Sequence, residues 1–359
     1  MEKIPFNESE IEFVKEVEAR GAITRYYNRP ITEKENIRRL YWEDYPLWIP
    51  WGRASNLNFC PKCIPDNIAR AFVYDGSGFD NRANGGGPDM FGIPWVFVPV
   101  AGGSMEDPAY GHPLEDANDW EKVLTFPDID SWDWEQSRKD NLEYLKTDKW
   151  IVSYILNGAW YERLISFMGF ENAAMALIDE DQQDALKALF ARTTKLYMDI
   201  IDKYAEYFPE VDCLNIHDDW GSQKSPFFSQ ETAMEMIVPF MKQLSDHCKA
   251  RGFAADMHSC GHNDTRIECY IAGGWESWTP QPMNDTEKLF QEYGDKIIIS
   301  VNLTLPEGLN DEQQADAAKR FVETHCVPGK KLKVNVDTSR YPTFEKELYK
   351  QSRLAYLAM

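Results

Sequence analysis

The chain is poor in positive charge. Lys and Arg total 38 against 59 Asp and Glu, a formal net charge of −21 over 359 residues. So acidic a surface repels phosphate backbones and anionic headgroups, which makes nucleic acid and membrane surfaces poor partners. Long apolar runs are also missing: stretches such as Trp95–Val100 and Ile297–Val301 fall far below the roughly 20 residues that span a bilayer. The opening MEKIPFNESEIEF has no basic segment followed by an apolar one, so no secretory signal is expected and a cytoplasmic location is. Common catalytic signatures are absent, with neither a G-x-S-x-G elbow nor an H-E-x-x-H. Gly85-Gly86-Gly87-Pro88 lacks the Lys-Ser/Thr of a phosphate loop and the strand-helix setting of a dinucleotide fingerprint, and is read as a turn.

What is present is core material: 43% hydrophobic residues, with aromatics at 13%, most of which serve as core and interface mass. The seven cysteines are odd in number, which fits reduced thiols. Cys60-Pro61-Lys62-Cys63 has no second C-x-x-C to complete a zinc site and is read as structural, while Cys213 and Cys248 fall on apolar faces as packing residues.

The N-terminal quarter reads as a helix over Ser9–Ala19 followed by short strands at Pro46–Trp51 and Ala69–Tyr74. From Gly76 to Ser131, glycines, prolines and short apolar runs mark an elaboration, a hairpin and lid. Beyond residue 150 the pattern becomes regular. Strands are predicted at Ile151–Leu156, Val211–Ile216, Phe253–Met257, Trp275–Thr279, Ile297–Val301 and Leu332–Val336, with amphipathic helices between them. Gln182–Tyr207 is the strongest helix. Ser229 caps another that runs past Cys248 to Gly252, and Asn310 opens a third with Gln313 completing a capping box. Apolar strands alternating with helices at this pace specify α/β architecture, and about eight strands suit a single (β/α)8 TIM-type barrel over residues 1–359. Residues 1–45 form an N-terminal helical extension and 76–131 the insertion.

Barrel chemistry sits at the carboxyl ends of the strands. Those ends carry Asn157 to Arg163, His217-Asp218-Asp219-Trp220, His258-Ser259-Cys260, Gln281 and Asn284, Asn302, and Asn335 with Asp337. His258-x-Cys260 is the sharpest pattern, since an imidazole and a thiolate leaving one strand can turn to one cation, and nitrogen with sulfur suits zinc. The competing reading is a polar strand end with an inert thiol. Of Asp218 and Asp219, one is expected to face the mouth while the other caps a loop. His217 is read as a core or supporting histidine.

These segments resemble the uroporphyrinogen decarboxylase superfamily, and more closely its branch of corrinoid-dependent methyltransferases. The likeness spans roughly residues 45–355. It rests on Asn157 to Asn172 (NGAWYERLISFMGFEN), Asp218-Asp219-Trp220-Gly221, Arg251-Gly252-Phe253, Met257-His258-Ser259-Cys260-Gly261, Trp278 to Asp285 (WTPQPMND) and Tyr293 to Ile297. The arginine-rich opening of the true decarboxylases is reduced to Arg53 in Ile49 to Ser55. The resemblance implies zinc bound by His258, Cys260 and a later cysteine, for which Cys326 is the candidate. Because Cys326 precedes a strand where the family has its cysteine after the last one, a carboxylate from Asp218, Asp219 or Asp337 is the alternative third ligand.

The function so implied is zinc-dependent transfer of a methyl group between a small methylated substrate and the corrinoid (cobalamin) of a partner protein. Asp218 or Asp219 would protonate the leaving group or orient a histidine. Asn157, Tyr161, Trp220, Gln281 and Asn302 would bind substrate. Trp160, Tyr161, Trp220 and Trp278 would suit a flat methoxylated aromatic, or would pack beneath loops. The rivals are a cofactor-independent decarboxylase using Arg53, Arg163 and Arg340, and a non-enzymatic binding barrel. A homodimer is compatible with all three.

Overall fold

The computed structural model describes residues 4–19, 22–43, 45–99 and 103–359. Its strands in chain order are β1 (Phe13–Ala19), β2 (Ala22–Tyr27), β3 (Asn56–Phe59), β4 (Gly87–Pro88), β5 (Pro94–Val98), β6 (Gly103–Glu106), β7 (Trp150–Ile155), β8 (Cys213–His217), β9 (Ala254–His258), β10 (Ser277–Trp278), β11 (Ile298–Asn302) and β12 (Leu332–Asn335). The longer helices are α1 (Glu33–Trp42), α2 (Tyr161–Met168), α3 (Gln183–Tyr207), α4 (Val238–Ala250), α5 (Asp311–His325) and α6 (Pro342–Ala358). The chain divides into two compact units, one made of residues 1–57, 147–150 and 276–359 and the other of 58–146 and 151–275.

In the second unit β7, β8 and β9 pair in parallel, in that order. All five residues of β8 are buried, as expected of a strand covered on both faces. Helix α3 covers this region because Leu186, Leu189, Phe190, Tyr197, Ile200, Ile201 and Tyr204 recur at helical spacing and are all buried. Ser229 caps a helical stretch as its sequence suggests, accepting from the Thr232 N–H, but the stretch is broken at Ile237, where Pro239 opens α4. The inserted region supplies a three-stranded antiparallel sheet, β4-β5-β6. Val100 and Gly102, the end of one apolar run and the start of a glycine pair, lie outside the described residues. Ala69–Tyr74 is not a strand. Residues Pro65–Ala69 are helical, and Tyr74 contributes one antiparallel bridge to Cys60.

In the first unit β10, β11 and β12 are parallel. Asn310 and Gln313 form the expected capping box of α5. Pro46–Trp51 contributes one parallel bridge, Trp51 to Val334, in place of a full strand. The N-terminal reading needs correction: Ser9–Ala19 is a 3-10 turn over Glu8–Ile11 and then β1, paired antiparallel with β2. The apolar spacing suited a helix, yet Phe13, Val14 and Val17 are exposed, and the β-prone Ile23 to Tyr27 offers a ladder instead. Glu10 lies within the 3-10 turn, and its carboxylate accepts from Arg353 Nε at 2.8 Å. The α/β class with parallel, helix-covered strands is observed in both units.

A buried charge cluster holds the second unit together at Arg163. Arg163 donates to Asp89 at 2.6 Å and to Asp66, and all three side chains are almost wholly buried. Removing the cation would leave two buried carboxylates facing each other. Arg163→Leu is therefore expected to lower unfolding free energy by about 3–5 kcal/mol, read from urea denaturation.

Candidate metal centre

The centre is built by strand register. In the parallel pair β8/β9, Asn215 lies opposite Asp256 and His217 opposite His258. Alternation puts both rows on one face. The lower row is joined by Asn215 Nδ2 donating to Asp256 at 2.8 Å. In the upper row the two imidazoles stack, with centroids 4.9 Å apart and planes at 19°.

The chain leaving each strand adds one more donor. Ligand atoms of His217, Asp219, His258 and Cys260 all lie within 4.8 Å of one another. His258 Nε2 is 3.4 Å and His217 Nε2 3.7 Å from Cys260 Sγ, and Asp219 Oδ1 is 3.4 Å from His217 Nε2. The Cys260 backbone N–H donates to that same Asp219 oxygen at 2.7 Å, tying the two loops together. They touch again at glycines: Gly261 has φ +94, and a Cβ there would lie 2.2 Å from the Gly221 carbonyl oxygen. Two nitrogens, a sulfur and a carboxylate oxygen form the donor set that zinc takes in four-coordinate sites.

His217 was read from the sequence as a core or supporting residue; its placement opposite His258 brings it into the cluster. Its Nδ1 meets Glu162 Oε2 at 2.8 Å, and Arg70 Nη1 lies 3.3 Å from the other Glu162 oxygen. Burial opposes charge on His217, but the Glu162 and Asp219 carboxylates outweigh it and hold the imidazolium well above its usual range. Burial pushes the Cys260 thiol up, against the pull of His217. Glu162 is held down at about 2, burial notwithstanding, by His217 and Arg70.

The adjacent carboxylates diverge. Asp219 faces the cluster. Asp218 is wholly buried and accepts from the backbone N–H groups of Ala159, Trp160, Tyr161 and Glu162 at 3.0–3.2 Å and from Trp220 Nε1 at 2.6 Å. Burial pushes its carboxyl up to about 6 while these donors pull it down. Asp218 thus anchors the start of α2 and holds Trp220 inside, leaving no free lone pair suited to proton transfer.

The other sequence candidates are placed as follows. Asn157, at φ +63 after β7, is buried, and neither side-chain atom has a hydrogen-bond partner among the described residues. Tyr161 is buried against Phe227 and Phe228, its hydroxyl likewise without a partner among them. Trp160 and Trp220 pack inside, Trp160 donating to Thr194 at 2.9 Å, and Trp278 is buried at the end of β10. Asn302 donates to the Pro280 carbonyl at 3.3 Å and accepts from Asn335, while the Gln281 carbonyl accepts from Asn284. Cys326 caps α5, its thiol beside Tyr356 and pushed up to about 12 by burial; it is not among the four converging donors. Asp337 accepts from the Ser339 N–H. Among the cations of the decarboxylase reading, Arg163 is engaged by two carboxylates and Arg340 is exposed; the side chain of Arg53 lies outside the described residues. Cys60 is buried and, with Cys63, has its thiol raised by burial, as inert packing thiols do.

No protein-family model matches the chain, and no curated protein matches it. Among solved structures the chain is similar to a methyltransferase from Methanosarcina mazei, at 13% identity and a TM-score of 0.57, over 91% of this chain and 99% of that one. At such identity the likeness shows a shared fold. Fainter similarities are to the IOLI protein with a binding zinc atom, at 12% identity and a TM-score of 0.32 over 64% and 82% of the two chains, and to a sugar phosphate isomerase/epimerase from Parabacteroides distasonis, at 10% and 0.31 over 65% and 78%. Among the described residues, no helix is long and apolar enough to cross a membrane.

Two outcomes follow from the electrostatics. His217 and Cys260 must each lose a proton to bind a cation, so zinc uptake releases protons and its apparent affinity rises with pH; calorimetry in buffers of different ionisation enthalpy measures the release. Asp218→Asn replaces an acceptor met by five donors, and is expected to cost at least about 2 kcal/mol in urea unfolding.

Proposed function

We propose that the protein is a zinc-dependent methyltransferase, moving a methyl group between a small methylated substrate and the corrinoid of a partner protein. One observation carries the reading: donors from His217, Asp219, His258 and Cys260 converge at the ends of two paired strands in a chain folded like a methyltransferase over 91% of its length. Zinc held by His217, His258 and Cys260 would supply Lewis acidity toward the heteroatom bearing the methyl group. The chain's own groups do the rest. His258 and Cys260 offer imidazole and thiolate from one short stretch of backbone, and the Cys260 N–H keeps the Asp219 carboxylate turned to the same point. Asp219, the more exposed of the two adjacent carboxylates, is the proton acceptor or donor for the substrate heteroatom. Asn157 supplies a buried amide with both its donor and its acceptor free for a polar substrate group.

Protein purified without added zinc is expected to hold about one zinc per chain by mass spectrometry of the metal, and to lose it in His258→Ala and Cys260→Ala. The zinc-loaded protein, given cob(I)alamin and a methoxyarene, methylated amine or thioether, is expected to form methylcobalamin, read by its absorbance. Zinc retained in full by Cys260→Ala would overturn the ligand set. Metal-loaded protein that methylates cobalamin from none of the three donor classes would overturn the activity.

A further inference from the structure

We propose that Glu162 is a positioning residue for the metal centre, fixing the tautomer and the angle of His217, with Arg70 as its counter-charge. The inference rests on reading the four-residue cluster as a metal site. A carboxylate oxygen 2.8 Å from an imidazole nitrogen requires a proton between them, because two acceptors at that distance repel. A proton therefore sits on His217 Nδ1, so the nitrogen left to lose its proton to a cation is Nε2, which faces the point where Cys260 and Asp219 meet. Carboxylate-histidine pairs of this kind raise the basicity of a ligating imidazole and hold its ring still.

The backbone around Glu162 is held with unusual care for a residue that is not itself a ligand. Glu162 lies in the first turn of α2, and its N–H donates to Asp218 at 3.1 Å, as do those of Ala159 and Trp160. Asp218 stands between His217 and Asp219 in the chain, so the same two-residue step that supplies two donors also clamps the helix that aims one of them. Gly158 belongs to this clamp: at φ +75, a Cβ there would sit 2.4 Å from the Glu162 Cβ. Arg70 Nη1, 3.3 Å from Glu162 Oε1, neutralises the carboxylate, and its guanidinium lies over the Trp95 ring of β5 at 5.3 Å. A residue serving only to join α2 to the insertion would need Arg70 and not His217.

Cobalt(II) and zinc are the probes, with affinities measured by competition against a chromogenic chelator. Glu162→Gln is expected to weaken binding of both about 10- to 100-fold and to change the visible d–d bands of the cobalt protein. In a His217→Ala background, Glu162→Gln is expected to add nothing, because the residue it positions is gone. Arg70→Met, remote from the donors, is expected to weaken binding several-fold. An unchanged affinity in Glu162→Gln, or an equal loss with and without His217, would overturn the proposal. Should Glu162→Gln fail to fold, an unchanged affinity in Arg70→Met would do the same. Wild-type protein that binds neither ion would instead overturn the metal centre itself.

Discussion

The parallel register of β8 against β9 is the constraint on which the site depends. It places His217 opposite His258 and, one step earlier on the same face, Asn215 opposite Asp256. A slip of one residue would send one imidazole to the helix-covered face and the other to the polar face, and no rotamer would bring the two Nε2 atoms together again. The apolar residues between them, Ile216 and Met257, resist that slip, since both are completely buried and would have to exchange places with polar neighbours.

Keeping polar groups at buried strand ends requires that each be met by partners, and the second unit does this by pairing charges with many donors. Asp218 has five hydrogen bonds, and Arg163 lies between Asp66 and Asp89. Neither group is left to meet a substrate. Two features differ from these: the four converging donors, and the amide of Asn157, which has no partner among the described residues. A buried amide in the left-handed region with both of its polar atoms unmatched is costly. A polar group on a ligand would offset that cost.

Much of the α/β pattern was legible along the chain. The strand starts predicted for β7, β8, β9, β11 and β12 agree with the structure to within two residues, because a strand buried on both faces is a short, nearly continuous apolar run ending at a polar cluster. The N-terminal segment was misread because its apolar spacing fits two periods, and its strand partner, Ala22–Tyr27, decides between them. Ala69–Tyr74 failed for a related reason. Its alternation is real, but Pro65 starts a helix that runs through Ala69.

For the site, the local sequence determined the pair His258 and Cys260, since residues two apart on an emerging strand end share a direction whatever the rest of the chain does. It also determined that Asp218 and Asp219 diverge, because successive side chains of extended backbone point opposite ways. Tertiary structure alone decided that His217 faces the same point, that Cys326 is not among the converging donors, and that Glu162 stands behind His217. Those relations span 41, 66 and 55 positions of sequence, and at such separations only strand register and the clamped start of α2 bring side chains within bonding reach.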